Sequence, residues 1–188
     1  MKKKILIFSI LFLCLALAGG VFLFWQSQKA VTGLNAGLPE GVRVVKSIFG
    51  KDWKIVNKID GYEFTVPKAW EGVSEIEYIP KRNIGEIDAS GLGIKGVSGV
   101  STLLSLDVFF PKDSGVNLLE RVQKLWESSE LVGELTEDTI ENIQVVKGRE
   151  DVHLGGTYIY FIEKGQKMYA LNNGSEEYIR GVILNGKW

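Results

Sequence analysis

WKIVNKIDGYEFTV, residues 53–66, is the stretch from which the fold of this 188-residue chain is read. Trp53, Ile55 and Ile59 alternate with polar residues, and Tyr62, Phe64 and Val66 do the same, with Asp60-Gly61 between the two runs. A period of two puts every second side chain on one face of a strand. Asp-Gly between alternating runs predicts a hairpin closed by a type I′ turn, which needs positive φ at both central residues. Pro67 ends the second strand because it has no N–H to give to a ladder.

The same pattern continues on both sides. Upstream, Val42, Val44 and Val45 predict a short first strand. Downstream, Ile76 and Tyr78 share one face against Glu75 and Glu77 on the other, and Leu104, Leu106, Val108 and Phe110 alternate up to Pro111. Asn117, with Glu120 three residues later, resembles a capping box. Leu118, Leu119, Val122, Leu125 and Trp126 then fall on one side of a 3.6-residue period, which predicts an amphipathic helix. A strand follows near Ile143 to Lys147, and then a second hairpin, Thr157–Ile162 with Lys167–Leu171, turning at Gly165. Ser175 is placed to cap a last helix. Glu176 and Glu177 suit its positive end, Tyr178, Ile179, Val182 and Ile183 form its apolar face, and Asn185-Gly186 stops it. Antiparallel hairpins with helices against the sheet define an α+β domain, residues 42–188, with no internal repeat or second domain. A domain of that length buries its own core.

Ahead of the domain stands a different kind of sequence. Lys2, Lys3 and Lys4 precede an uncharged run from Ile5 to Trp25, about the 20 residues a helix needs to cross a bilayer. Trp25 suits the aromatic belt at the far interface, and the lysines hold the N-terminus on the cytoplasmic side. Residues 1–25 are thus expected to be a transmembrane signal anchor, with the domain extracytoplasmic. A cleaved signal peptide is the alternative, since Ala16-Leu17-Ala18 offers a small-x-small site and would release a secreted domain; its apolar region, however, usually spans only about 7–15 residues. Residues 26–41, with Gly33, Gly37, Pro39 and Gly41, read as a loop-like tether.

Composition closes off several functions. Cys14 is the sole cysteine and lies in the apolar run, so the domain has neither disulfides nor thiolate metal sites. Leu13 precedes it where a lipidated cysteine needs a small residue, which argues against lipidation. Without Lys2, Lys3 and Lys4 the chain has 19 basic and 23 acidic residues, net −4, which argues against a nucleic-acid binder. Arg43, Lys46, Lys51, Lys54 and Lys58 make one basic stretch near the membrane. Their spacing along strands suits a solvated face better than a headgroup site.

Catalytic patterns are equally thin. Gly91-Leu92-Gly93-Ile94-Lys95-Gly96 satisfies G-x-G-x-x-G but lacks the strand–helix context of a dinucleotide site, and is read as a Gly-rich surface excursion. Gly96-Val97-Ser98-Gly99-Val100 misses the nucleophile elbow by one place. His153, the only histidine, has Asp151 beside it, but no spacing recommends a triad. Glu134, Glu137, Asp138 and Glu141 lack EF-hand spacing. Trp53, Trp70, Trp126 and Trp188 are read as packing residues. No catalytic, cofactor-binding or metal-ligating residue is assigned, and no cofactor is expected.

Gly61-Tyr62-Glu63-Phe64-Thr65-Val66-Pro67-Lys68-Ala69-Trp70 resembles the opening motif of PsbP-like domains. Tyr158–Phe161 leading through Gly165 to Met168–Leu171, then the helix Glu176–Leu184, is similar to their final section. The resemblance implies the Mog1/PsbP α/β/α sandwich, in mostly non-catalytic proteins that include photosystem extrinsic subunits, a GTPase-binding protein and membrane-tethered bacterial proteins. The expected function is a membrane-tethered, extracytoplasmic interaction module with an envelope or membrane protein as partner. A domain binding a small ligand or lipid in a cleft beside the sheet is the alternative, and a hydrolase around His153 is a third reading. A deep apolar pocket would favour the second, an exposed apolar patch the first.

Overall fold

In a computed structural model of the chain, the described residues are 2–46, 52–66, 72–84, 87–96, 102–112, 115–131, 133–150 and 157–188. Among the described residues ten strands form two sheets, and every neighbouring pair is antiparallel. Strands β1 (Val42–Lys46), β2 (Trp53–Asn57) and β3 (Tyr62–Val66) make the smaller sheet in chain order. The larger is built from β4 (Val73–Ile84), β5 (Ile87–Gly96), β6 (Thr102–Phe110), β7 (Leu135–Ile140), β8 (Ile143–Glu150), β9 (Thr157–Lys164) and β10 (Lys167–Asn172). Its order is β4-β5-β6-β10-β9-β8-β7. Three helices accompany them: α1 (Lys2–Asn35), α2 (Leu118–Ser128) and α3 (Glu176–Asn185). The domain is α+β, as its alternating runs and helical periods predict.

The pleat of the large sheet sorts two cores. Leu92, Ile94, Leu104, Leu106, Val108, Tyr160 and Leu171 point to one side, where the small sheet, Ile179, Val182 and Ile183 of α3 and Val31 of α1 cover them. Val146, Ile159, Phe161, Met168 and Ala170 point to the other side, under Val122, Leu125 and Trp126 of α2. β9 and β10 are therefore covered on both faces, which explains their near-continuous apolar runs. The C-terminus completes the first core. Lys187 pairs with Glu63 through backbone bonds of 2.8 and 2.7 Å, and Trp188 packs on Tyr169 at 4.9 Å between ring centres.

Several expectations need correction. Residues 26–35 are helical: α1 continues to Asn35, and only the remainder of the expected tether is turn and loop. Val31 is buried and Leu34 and Leu38 pack on the same core, and this packing outweighs the roughly 1 kcal/mol a helical glycine such as Gly33 costs. Asn35 also acts as a strand residue would. Its side-chain amide donates to the Val44 carbonyl (2.9 Å) and its side-chain oxygen accepts from the Val44 N–H (2.7 Å), which covers the free edge of β1. Gln28 donates to the Lys46 carbonyl (2.9 Å) about two turns earlier on the helix. The side chains described in α1 begin at Ile10. Those of Phe12, Leu13, Leu15, Leu17, Val21 to Phe24 and Trp25 are exposed, and among the described residues no helix is long and apolar enough to cross a membrane.

The Asp60-Gly61 hairpin exists, but with a four-residue loop rather than a type I′ turn. Asn57 pairs with Tyr62, Gly61 alone has positive φ (+75°), and Ile59 lies exposed in the loop instead of in the strand. Gly91 to Gly96 is not a surface excursion. It lies within β5, hydrogen-bonded to β4 and β6 on either side. The ladder occupies backbone N–H groups that a phosphate cradle would need. Of the acidic run, Glu137 and Asp138 lie on edge strand β7, and Glu134 and Glu141 flank it. Ser175 stands at the N-cap of α3 but makes no side-chain capping bond. Gly186 ends that helix in extended backbone (φ −75°), where a Cβ would stand 2.5 Å from the Trp188 ring.

Candidate functional site: a cleft beside helix α2

Helix α2 starts as its sequence predicts. The Asn117 side chain accepts from the Glu120 N–H at 2.9 Å, and Val122, Leu125 and Trp126 are buried. Its seat is narrow. Trp126 lies over β8 at Gly148, where a Cβ would come within 2.4 Å of the ring, and meets Phe161 of β9 edge to face at 6.3 Å. Arg121 pairs with Glu163, also on β9. The helix is thereby seated over β8 and β9, with Met168 and Ala170 of β10 buried at its margin, and leaves β4, β5 and β6 without a helical cover on that face.

A cleft of about 290 Å³ opens between the two halves. Its floor is one cross-strand row, Ile79–Gly91–Asp107–Ala170–Phe161, in which each residue is the register partner of the next. Two of the five are the smallest side chains available, and this makes the floor concave. Ala89 and Phe109 form the next row, while Leu125, Ser129 and Leu131 supply the wall from α2 and the turn after it. A register shift between Ile79 and Arg82 brings both onto this face, although three positions apart in a regular strand they would point oppositely.

Asp107 is the chemically distinct group. Its carboxylate fits because position 91 is glycine: a Cβ there would stand 2.9 Å from Oδ1. It accepts no hydrogen bond among the described residues. Burial pushes its pKa up to about 6, against the opposing pull of the Arg82 guanidinium, which is exposed at the rim. A carboxylate without a donor, in a cleft walled by Ile79, Phe109, Leu125 and Ile159, is an uncompensated acceptor.

A second polar cluster behaves differently. Asp60 is buried between the sheets, but Asn57 Nδ2 donates to its carboxylate (2.8 Å), its own N–H donates to Asn57 Oδ1 (2.9 Å), and Lys167 Nζ donates to its carbonyl (2.6 Å). Burial, with Asp60 close by, pushes the Tyr78 hydroxyl up to about 12, and burial raises Tyr62 as well. These bonds are internal, and they fix the β2–β3 loop against β10.

The residues singled out in the sequence do not assemble a site. Asp151, His153, Pro67, Trp70 and Lys51 lie outside the described residues, as do 97–100 of the near-miss elbow. Glu137 and Asp138 are solvent-facing on β7, with Arg180 Nη1 at 3.6 Å from Asp138, and among the described residues no three potential metal ligands converge. Lys54 of the basic stretch is paired with Glu63 at 3.3 Å. Trp126 is a core residue, and Trp53 and Trp188 pack on the edge of the other core. Asp107 and Arg82 were not singled out. The available signal was an acidic residue at the centre of LLSLDVFF, where alternation alone makes it an ordinary outward position. No protein-family model, curated protein or solved structure matches the chain.

Proposed function

We propose that this chain is a membrane-tethered extracytoplasmic domain that binds a small, largely apolar molecule in the cleft between α2 and the open half of the large sheet. The cleft itself carries the reading. It is concave and mainly apolar, is lined by a few polar residues with Asp107 on its floor, and lies near the lower end of the roughly 300–1,000 Å³ typical of ligand sites. A protein-docking role has less support. Outside α1, the exposed large apolar residues Ile59, Ile84, Tyr158 and Leu184 are scattered singly over the β2–β3 loop, β4, β9 and α3.

The tether rests on the apolar run from Ile5 to Trp25 and on the exposed apolar side chains of α1. The likeness of Gly61–Trp70 to PsbP-like domains belongs to this proposal too, with helices on opposite faces of the large sheet in its favour. Filling the cleft tests the ligand reading. Ala170→Phe should abolish binding of small aromatic probes while the chain stays folded, and unchanged binding would place the site elsewhere. Alkaline washing tests the tether: the chain should stay with membranes, and release with a new N-terminus at Gly19 would show cleavage.

A further inference from the structure

We infer that the cleft selects ligands carrying a protonated amine on a compact apolar or aromatic body, with Asp107 receiving the ammonium. This rests on the ligand-binding reading above and narrows it to a chemical class. Asp107 is flanked across the sheet by Gly91 and Ala170, and its carboxylate leans over Gly91 in the floor of the cleft, with no bulky side chain on either register partner. It can only accept hydrogen bonds, and no described residue donates to it. A neutral apolar ligand would bury that acceptor further without a partner, and an anionic one would add a like charge; both are unfavourable. An ammonium supplies a donor and the opposite charge at once, and such charge-assisted bonds are the strong ones. Phe109 and Phe161, both lining the cleft, add aromatic surface that attracts a cation.

The remaining features agree. A bare metal ion is poorly served, because Asp107 is the single carboxylate lining the cleft and among the described residues no three potential metal ligands converge. Among the described residues, Arg82 is the one cation lining the cleft; it is exposed at the rim, where water and salt screen its repulsion. The volume suits a body of roughly ten non-hydrogen atoms, the small end of the ligand range.

Three probes of nearly one size separate the outcomes: phenethylamine, 2-phenylethanol and phenylacetate. Each is titrated calorimetrically into the full chain in nanodiscs of neutral phospholipid, with empty nanodiscs subtracted. Phenethylamine should bind about tenfold or more tighter than the alcohol, the usual worth of one charge-assisted hydrogen bond. Asp107→Asn should bring it down to the alcohol's affinity, and Arg82→Gln should strengthen it. Equal affinity for all three probes, unaffected by Asp107→Asn but lost in Ala170→Phe, would overturn the amine preference and leave the cleft standing. Tightest binding of phenylacetate would make Arg82 the anchor and also overturn it. Binding of none would remove the ligand-binding reading and this inference together.

Discussion

The two faces of the seven-stranded sheet differ in how completely they are covered. One is sealed by a second sheet, α3, the end of α1 and the terminal Trp188, so Leu104, Leu106 and Val108 have no measurable exposure. The other bears one eleven-residue helix seated over two strands, and the rest of that face stays open. Both faces come from the same strands, through alternate residues. What differs is the number of elements available as cover. A single short helix spans about 16 Å in length and about 10 Å in width, too little for a seven-stranded sheet. The uncovered remainder is where Gly91, Ala170 and Asp107 are found in place of bulky apolar residues.

The largest expected effect contrasts the faces directly. Leu106→Ala on the sealed face should cost about 3–5 kcal/mol, because nothing nearby can collapse into the vacated volume. Leu125→Ala, at the cleft wall, should cost about 2 kcal/mol, since that side chain already borders open space. Denaturant titration of the full chain in detergent measures both, and equal losses would mean that the α2 face is packed as tightly as the other.

Asp107 gives the next largest effect, in the opposite direction. Its folded-state pKa is raised from an ordinary 3.8 to about 6, so folding holds the proton more tightly than the unfolded chain does. Below about pH 4 both states are protonated and the group costs nothing. Between pH 4 and 6 the unfolded chain ionises first and stability falls, and above pH 6 the full penalty of about 3 kcal/mol is present. Asp107→Asn should therefore leave stability at pH 4 unchanged, raise it at pH 8, and flatten the slope between. A flat profile in the unsubstituted chain would show that water already solvates the carboxylate.

Two smaller effects sharpen the contrast. Asn35→Ala removes both of its side-chain bonds to Val44 on the β1 edge and should cost about 1–2 kcal/mol. It should also broaden spin-label distances between α1 and β2. Asn117→Ala removes the α2 cap and should cost about 1 kcal/mol, with hydrogen exchange quickening first in α2, the cleft wall. Uniform quickening across the domain would mean that α2 does not open on its own.

Most elements were legible because they are amphipathic. Tyr62/Phe64/Val66, Leu104/Leu106/Val108 and the α2 face each carry a clean period, and each lies where that period puts it. β5 escaped notice because Gly91, Gly93 and Gly96 look like loop, although Leu92 and Ile94 keep the alternation between them. The helical course of 26–35 was hidden by Gly33 and by contacts to β1 that exist only in the tertiary structure. Asp107 was invisible as a site for another reason. Its character comes from two small neighbours, Gly91 and Ala170, which are distant in sequence and adjacent only across the sheet.

The docking of α1 has a consequence for geometry at the bilayer. From Trp25 to the buried Val31 the helix is unbroken, so in a chain anchored by Ile5–Trp25 the domain begins only about 9 Å beyond the interface. Its bearing around the membrane normal is then set by helical phase. Each residue inserted between Trp25 and Gln28 would lift the domain by about 1.5 Å and swing it by about 100°, turning the cleft towards a different neighbour in the plane of the membrane. In such an anchor, residue count is an azimuth, and a single deletion redirects the binding face without touching any residue that forms it.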